Sequence, residues 1–128
     1  MAYYYKTIIR PVIEYACPVW QSSLTVDQLD RLEVLQRRAM KILSGSDDYE
    51  LYSVIYNIEP IYVRLDTLAR SFFNRMSQPT DCLFRLLPTE RNTETINRLR
   101  RATRLPTFQC RTTRFFNSFL PYALRNYQ

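Results

Sequence analysis

Apolar residues recur along most of this chain at steps of three and four, the period of a helix that buries one face. From Tyr5 to Trp20, the residues Tyr5, Ile8, Ile9, Val12, Tyr15, Ala16 and Val19 fall on one such face. Pro11 interrupts it, because a proline removes one backbone donor and clashes with the carbonyl four residues back. The stretch therefore reads as a kinked helix, or as two short helices with the second opening at Pro11. Lys6, Arg10 and Glu14 lie on the other face, as solvated charges would, and Pro18 is where the helix should stop. Trp20 is expected to fold back over the apolar face as a core anchor between the first and second helices.

The next element is bounded by its own end signals. Thr25-Val26-Asp27-Gln28 is a capping box, and Gly45 is the expected left-handed cap. Between them Leu29, Leu32, Leu35, Ala39, Ile42 and Leu43 form the apolar stripe. Asp27 and Asp30 near the start, and Arg37, Arg38 and Lys41 near the end, each match the helix dipole. Asp47-Asp48-Tyr49-Glu50 reads as a second capping box, with Asp47 as cap, opening a short helix to about Asn57 with Leu51, Ile55 and Ile58 inward. Pro60 suits the first position of a helix running to about Ser77, with Ile61, Leu65, Leu68, Phe72 and Met76 on its stripe and Pro79 closing it. Cys82–Leu87 is one apolar turn, Thr89–Thr95 is polar and loose, and Asn117-Ser118 caps a short terminal helix through Phe116, Leu120, Ala123, Leu124 and Tyr127. The pattern predicts an all-α fold of about five helices. Residues 1–80 form the bundle, and 81–128 form an Arg-rich, partly irregular segment with the terminal helix, packed on the same domain.

Composition sharpens this picture. The chain has 128 residues, enough for one domain with an ordinary core, and a single Gly, which suits helices better than a turn-rich β fold. It carries a net charge of +6. Residues 81–128 hold nine basic and three acidic groups, whereas residues 46–80 hold three basic and five acidic. Sixteen of the eighteen basic residues are Arg, whose forked guanidinium suits phosphates, carboxylates and aromatic faces, although codon bias accounts for the preference equally well. No apolar run reaches the length of a membrane span and no signal peptide precedes the first helix, so the expected location is intracellular, in nucleus or cytoplasm. The opening Met-Ala-Tyr-Tyr-Tyr reads as a cut edge.

Candidate chemistry is sparse. There is no His, and Cys17, Cys82 and Cys110 are far apart, so zinc spacings and His-based catalysis are excluded and the cysteines read as reduced packing residues. No Gly-rich phosphate loop exists. The pair Asp47-Asp48 is the carboxylate motif of two-metal polymerases in composition, but it follows a helix cap and opens another helix, which favours capping. No catalytic residue, metal or cofactor is expected. Tyr3, Tyr4, Tyr5, Tyr49, Tyr52 and Tyr56 are better read as half-buried rings than as base-stacking ones. The remaining candidate is Arg91–Arg114, which holds seven Arg and one Glu, with Phe108 inside and Phe115-Phe116 directly after. Interleaved Arg and aromatic residues are the footprint of nucleic-acid contact. A solvated surface, or pairing with acidic groups such as Asp66 or Glu50, is the alternative. The candidate contact residues are Arg98, Arg100, Arg101, Arg104, Arg111 and Arg114.

Three blocks resemble the C-terminal thumb and post-thumb region of reverse transcriptases encoded by non-LTR (LINE-type) retrotransposons, in the family's order. They are Tyr-Lys-x-x-x-Arg-Pro-x-x-Glu-Tyr-Ala-x-x-x-Trp over Tyr5–Trp20, Leu32-Glu33-x-x-Gln36-Arg37-Arg38-Ala39 with Ile42-Leu43, and Arg111-Thr112-Thr113-Arg114-Phe115 leading to Asn117-Ser118-Phe119-Leu120-Pro121. The chain departs from the family at Asn57-Ile58-Glu59-Pro60-Ile61-Tyr62-Val63-Arg64, where a Gly-x-x-x-Leu-x-x-Arg-Arg turn is usual. The resemblance implies a non-catalytic helical part of an RNA-directed DNA polymerase, lying against template–primer nucleic acid. It also implies partnership with an upstream polymerase domain that carries the catalytic aspartates. A protein-interaction scaffold from a truncated or domesticated element, its Arg cluster binding an acidic partner, is the rival reading.

Overall fold

A computed structural model describes residues 2–100 and 102–128. The described residues are helical, with turns and irregular loops between the helices and no strand among them. The chain forms two compact units. Unit 1 comprises residues 1–17 and 24–68; unit 2 comprises residues 18–23 and 69–128. Along the chain the units divide after Cys17, after Ser23 and after Leu68.

The N-terminal helix is built around Pro11. It starts as α1 (Ala2–Tyr4), widens into a π turn over Tyr5–Ile9 and continues as α2 (Arg10–Glu14). The Arg10 N–H donates to the Tyr5 carbonyl, five residues back. A π turn absorbs a proline because the carbonyls it would clash with are displaced from α-helical register. The extra residue per turn also shifts the phase of the side chains. Tyr5 is fully buried, whereas Ile8, Val12, Tyr15 and Val19 are half to four-fifths exposed, so the single apolar face expected here is not a buried face. The helix ends at Glu14, before Pro18, in a reversal where Ala16 takes the left-handed region at φ 52°. Pro18 instead lies inside α3 (Cys17–Trp20), which runs into a 3₁₀ turn over Gln21–Ser23. Trp20 is half-buried and falls in unit 2, so it is not the fully buried anchor between the first two helices that its position implies.

The long helix α4 (Val26–Ser44) has both expected ends. The Thr25 hydroxyl accepts from the Gln28 N–H, Gln28 answers the Thr25 N–H, and Gly45 takes φ 71° and donates to the Lys41 carbonyl. The buried stripe, however, runs through Gln36 and Met40, and Leu35 and Ile42 are 53% and 72% exposed. Helix α5 (Tyr49–Ile55) is capped by Asp48, whose Oδ1 accepts from the Leu51 N–H at 3.1 Å, and not by Asp47. Its inward residues are Tyr49, Tyr52 and Tyr56, followed by buried Ile58, while Leu51 and Ile55 are exposed. Tyr5, Met40 and Ile58 form the core of unit 1.

Helix α6 (Ile61–Met76) carries a deeper stripe than expected. Ile61, Leu65, Ala69, Phe73 and Met76 are buried, and Leu68 and Phe72 are partly so. A 3₁₀ turn at Phe84–Leu86 follows. Helix α7 (Thr93–Arg98) begins inside the stretch Thr89–Thr95 expected to be loose, and α8 (Thr113–Phe116) opens where the Thr112 hydroxyl accepts from the Phe115 N–H. The terminal α9 (Phe119–Asn126) follows Ser118, as expected. In unit 2, Ala69, Phe73, Leu105, Ala123, Leu124 and Tyr127 make one apolar cluster. Phe116 does not join it and stays 47% exposed. Of the cysteines, Cys17 alone is buried; Cys82 is exposed and so is not a packing residue.

Candidate functional site

Positive charge on this chain is disposed in two contrasting ways. In unit 1 Arg10 of the N-terminal helix and Arg64 of α6 are consumed by structure. The Glu14 Oε1 accepts from Arg10 Nε at 2.7 Å and from Arg64 Nε at 2.7 Å, and the Glu59 Oε1 accepts from Arg10 Nη2 at 3.0 Å. The Arg10 and Glu14 side chains are only 12% and 15% exposed, so the solvated face expected for them is a largely buried ion network. The hydrogen bond to Glu14 raises the Arg64 pKa further above its already high value.

Next to it lies a polar core that helical periodicity does not reveal. Gln36 accepts from the Tyr5 hydroxyl at 2.5 Å, and its amide donates to the Tyr49 hydroxyl at 2.8 Å and to the Glu59 carbonyl at 3.1 Å. The Tyr49 hydroxyl donates to Glu33 Oε1 at 2.8 Å, and Glu33 Oε2 accepts from the Ile61 N–H at 2.8 Å. Glu33 therefore satisfies a first-turn amide of α6 from another helix, at the end where the dipole favours an anion. Every polar atom of the Gln36 side chain is used, which is what burial at 1% exposure requires. These residues have structural work.

The Arg-rich segment of unit 2 divides residue by residue. The Arg91 N–H donates to the Arg104 carbonyl at 3.0 Å, and Arg91 Nη1 donates to the Thr103 hydroxyl at 2.9 Å, closing a loop around α7. Within that loop Arg104 Nη2 pairs with Glu90. The contact holds the Glu90 carboxyl below its usual range and raises the Arg104 pKa. Arg104 is thus a partnered charge. Arg98, Arg100, Arg111 and Arg114 are exposed and make no ion pair among the described residues. Arg101 lies outside the described residues. Aromatic rings accompany the second pair of arginines. Phe108 and Phe115 have ring centroids 6.1 Å apart, and the Arg125 guanidinium lies 3.5 Å from the Phe116 centroid while donating to the Phe116 carbonyl at 2.8 Å. Arg125 thereby ties α8 to α9, leaving Phe115 and Phe116 44% and 47% exposed beside Arg114.

Asp47 and Asp48 are both engaged. Asp48 caps α5, and Asp47 pairs with Lys41 at the end of α4. Among the described residues no group of three His, Cys, Asp or Glu side chains is placed to hold a metal ion. None of the described helices is long and apolar enough to cross a membrane. Sequence reading also missed an apolar groove in unit 1, lined in part by Ile8, Val12, Leu35, Arg38 and Ile42. Ile8, Val12, Leu35 and Ile42 belong to the apolar stripes that periodicity predicts to be buried, yet they are exposed. Comparison with protein-family models, with curated proteins and with solved structures finds no match.

Proposed function

We propose that this chain is a non-catalytic helical module of the kind found in the C-terminal region of non-LTR reverse transcriptases, and that it holds the phosphate backbone of a template–primer duplex. One observation carries the reading: Arg98, Arg100, Arg111 and Arg114 are exposed and unpaired among the described residues, whereas Arg10, Arg31, Arg64, Arg75 and Arg104 are in ion pairs. Free guanidinium groups are the ones that can neutralise phosphates, and each neutralised phosphate releases condensed counterion. The exposed Phe115 and Phe116 rings beside Arg114 add faces on which a base can stack. Backbone contact positions a duplex without reading it, so sequence preference is weak. The module extends no primer by itself; the upstream polymerase domain that the resemblance implies would supply that chemistry.

The test is a salt titration of binding to DNA, RNA and hybrid duplexes. Log affinity should fall with log salt at a slope of roughly −0.9 per phosphate contact. Changing Arg111 and Arg114 together to Ala should flatten the slope by about 2 and weaken all sequences alike. Arg104→Ala removes the same kind of charge from the same segment, yet its Glu90 pairing predicts a smaller change. A slope unmoved by the double substitution, or no duplex binding by the wild type at low salt, would overturn the reading in favour of a protein-interaction scaffold.

A further inference from the structure

Thr103 follows Arg100 by three residues and Arg98 by five, and no other Ser or Thr of the chain has Arg at both distances. Basic-directed protein kinases choose a target hydroxyl by such a charge pattern, seating the guanidinium groups in acidic pockets of the substrate groove. The structure separates Thr103 from its nearest rivals. Thr67 and Thr107 also follow an Arg by three residues, but Glu14 holds Arg64 and Glu90 holds Arg104. Arg98 and Arg100 are exposed and make no ion pair among the described residues. Thr67 is also locked inside α6, its hydroxyl donating to the Val63 carbonyl at 2.8 Å. By contrast α7 ends at Arg98, Leu99 leaves it with extended backbone at ψ 141°, and Thr103 has irregular backbone.

We propose that Thr103 is a phosphorylation site for a basic-directed kinase, and that Arg91 captures the phosphate. ATP supplies the phosphoryl group. A bond forms from Thr103 Oγ1 to the γ-phosphorus while the bond from that phosphorus to its bridging oxygen breaks, and ADP leaves. The hydroxyl proton passes to the catalytic carboxylate of the kinase. The receptor for the product is already in place. Arg91 Nη1 donates to the Thr103 hydroxyl at 2.9 Å, and the Arg91 N–H donates to the Arg104 carbonyl at 3.0 Å. A phosphate brings three acceptor oxygens and nearly two negative charges, so the contact with Arg91 becomes charged on both sides. The loop around α7 is then held more firmly. The charge of residues 91–114, which hold seven Arg and one Glu, also falls from +6 to about +4. That second effect rests on the duplex reading above, since a less positive segment holds a phosphate backbone less tightly.

The probe is a purified kinase that selects Arg three and five residues before its target, supplied with ATP and the full chain. One phosphoryl group should enter and map to Thr103 by peptide mass spectrometry, and Thr103→Ala should take up none. Arg100→Ala should slow the entry by about tenfold or more. Hydrogen exchange of the amide at position 91 should slow by about tenfold on phosphorylation, and Arg91→Ala, which keeps that amide, should abolish the slowing. Entry at another residue, no entry, or an amide indifferent to the phosphate would overturn the proposal. Where the unmodified chain binds duplex, the phosphorylated chain should bind about tenfold more weakly at low salt, and equal affinity would overturn the regulatory effect. A chain that takes phosphate at Thr103 but binds no duplex in either form supports the site and overturns the proposed function alone.

Discussion

Glu14 concentrates the ion network of unit 1 on one carboxylate, and its position in the chain gives no hint of this. It follows Arg10 by four residues, the spacing of an ordinary exposed helix pair worth a few tenths of a kcal/mol. Burial changes the magnitude. With Arg10 and Arg64 both donating to the same oxygen at 2.7 Å, removing the charge leaves two partly buried guanidinium groups without it. Breaking a buried pair from one side costs about 3–5 kcal/mol, and the remaining exposure of Arg64 places this site at the lower end. Glu14→Gln, nearly identical in shape, should therefore destabilise the chain by about 3 kcal/mol in urea denaturation. A loss below about 0.5 kcal/mol would mean that the network is solvent-screened like a surface pair.

Among the elements, α4 and α5 show how local chemistry sets helix ends. Thr25 and Gln28 bond each other at one end and Gly45 bonds Lys41 at the other, each within four residues, and each makes the bond its type predicts. The adjacent acids Asp47 and Asp48 divide two tasks: Asp48 caps α5, and Asp47 meets Lys41 across the turn, with both of those side chains mostly exposed. Asp48→Ala should then cost about 1 kcal/mol as a lost cap. Asp47→Ala should stay within about 0.5 kcal/mol, since an exposed ion pair contributes little. Equal losses measured side by side by thermal melting would show that the cap is shared. At the N-terminal helix, Pro11 is answered by a π turn instead of a break, and that turn rotates Ile8 and Val12 away from the buried side.

For the molecule as a whole, unit 1 encloses two weak acids in their neutral forms. Burial pushes the Tyr5 hydroxyl from 10.0 up to about 12, and burial together with Glu14 pushes the Cys17 thiol from 9.0 up to about 11. An acid with a raised folded-state pKa holds its proton more tightly when folded. Its contribution is complete below the unfolded pKa and disappears as pH rises through the folded one. Stability should therefore be unaffected by these groups up to about pH 9 and fall between about pH 9 and 12, by roughly 2–3 kcal/mol for each group. Urea denaturation at stepped alkaline pH tests this. Cys17→Ala should move the onset from about pH 9 to about pH 10, and an onset that does not move would remove Cys17 from the account.

The all-α class, the caps of α4, the helix from Pro60 onward and the terminal helix after Ser118 were all legible, because periodicity and capping act between residues a few positions apart. Burial was not legible, because it depends on what arrives from elsewhere in the chain. Tyr5 meets Gln36 across 31 positions, and that bond turns the polar side of α4 inward while Leu35 and Ile42 are left outside. The abundance of Arg between residues 91 and 114 was plain from the sequence. Which of those charges are free depended on the loop that brings Glu90 to Arg104, set by backbone and side-chain bonds across twelve or more positions. Local preference settles where helices begin and end. Tertiary pairing alone decides which face each helix hides, because desolvating a polar group is tolerable only where a distant partner completes its hydrogen bonds.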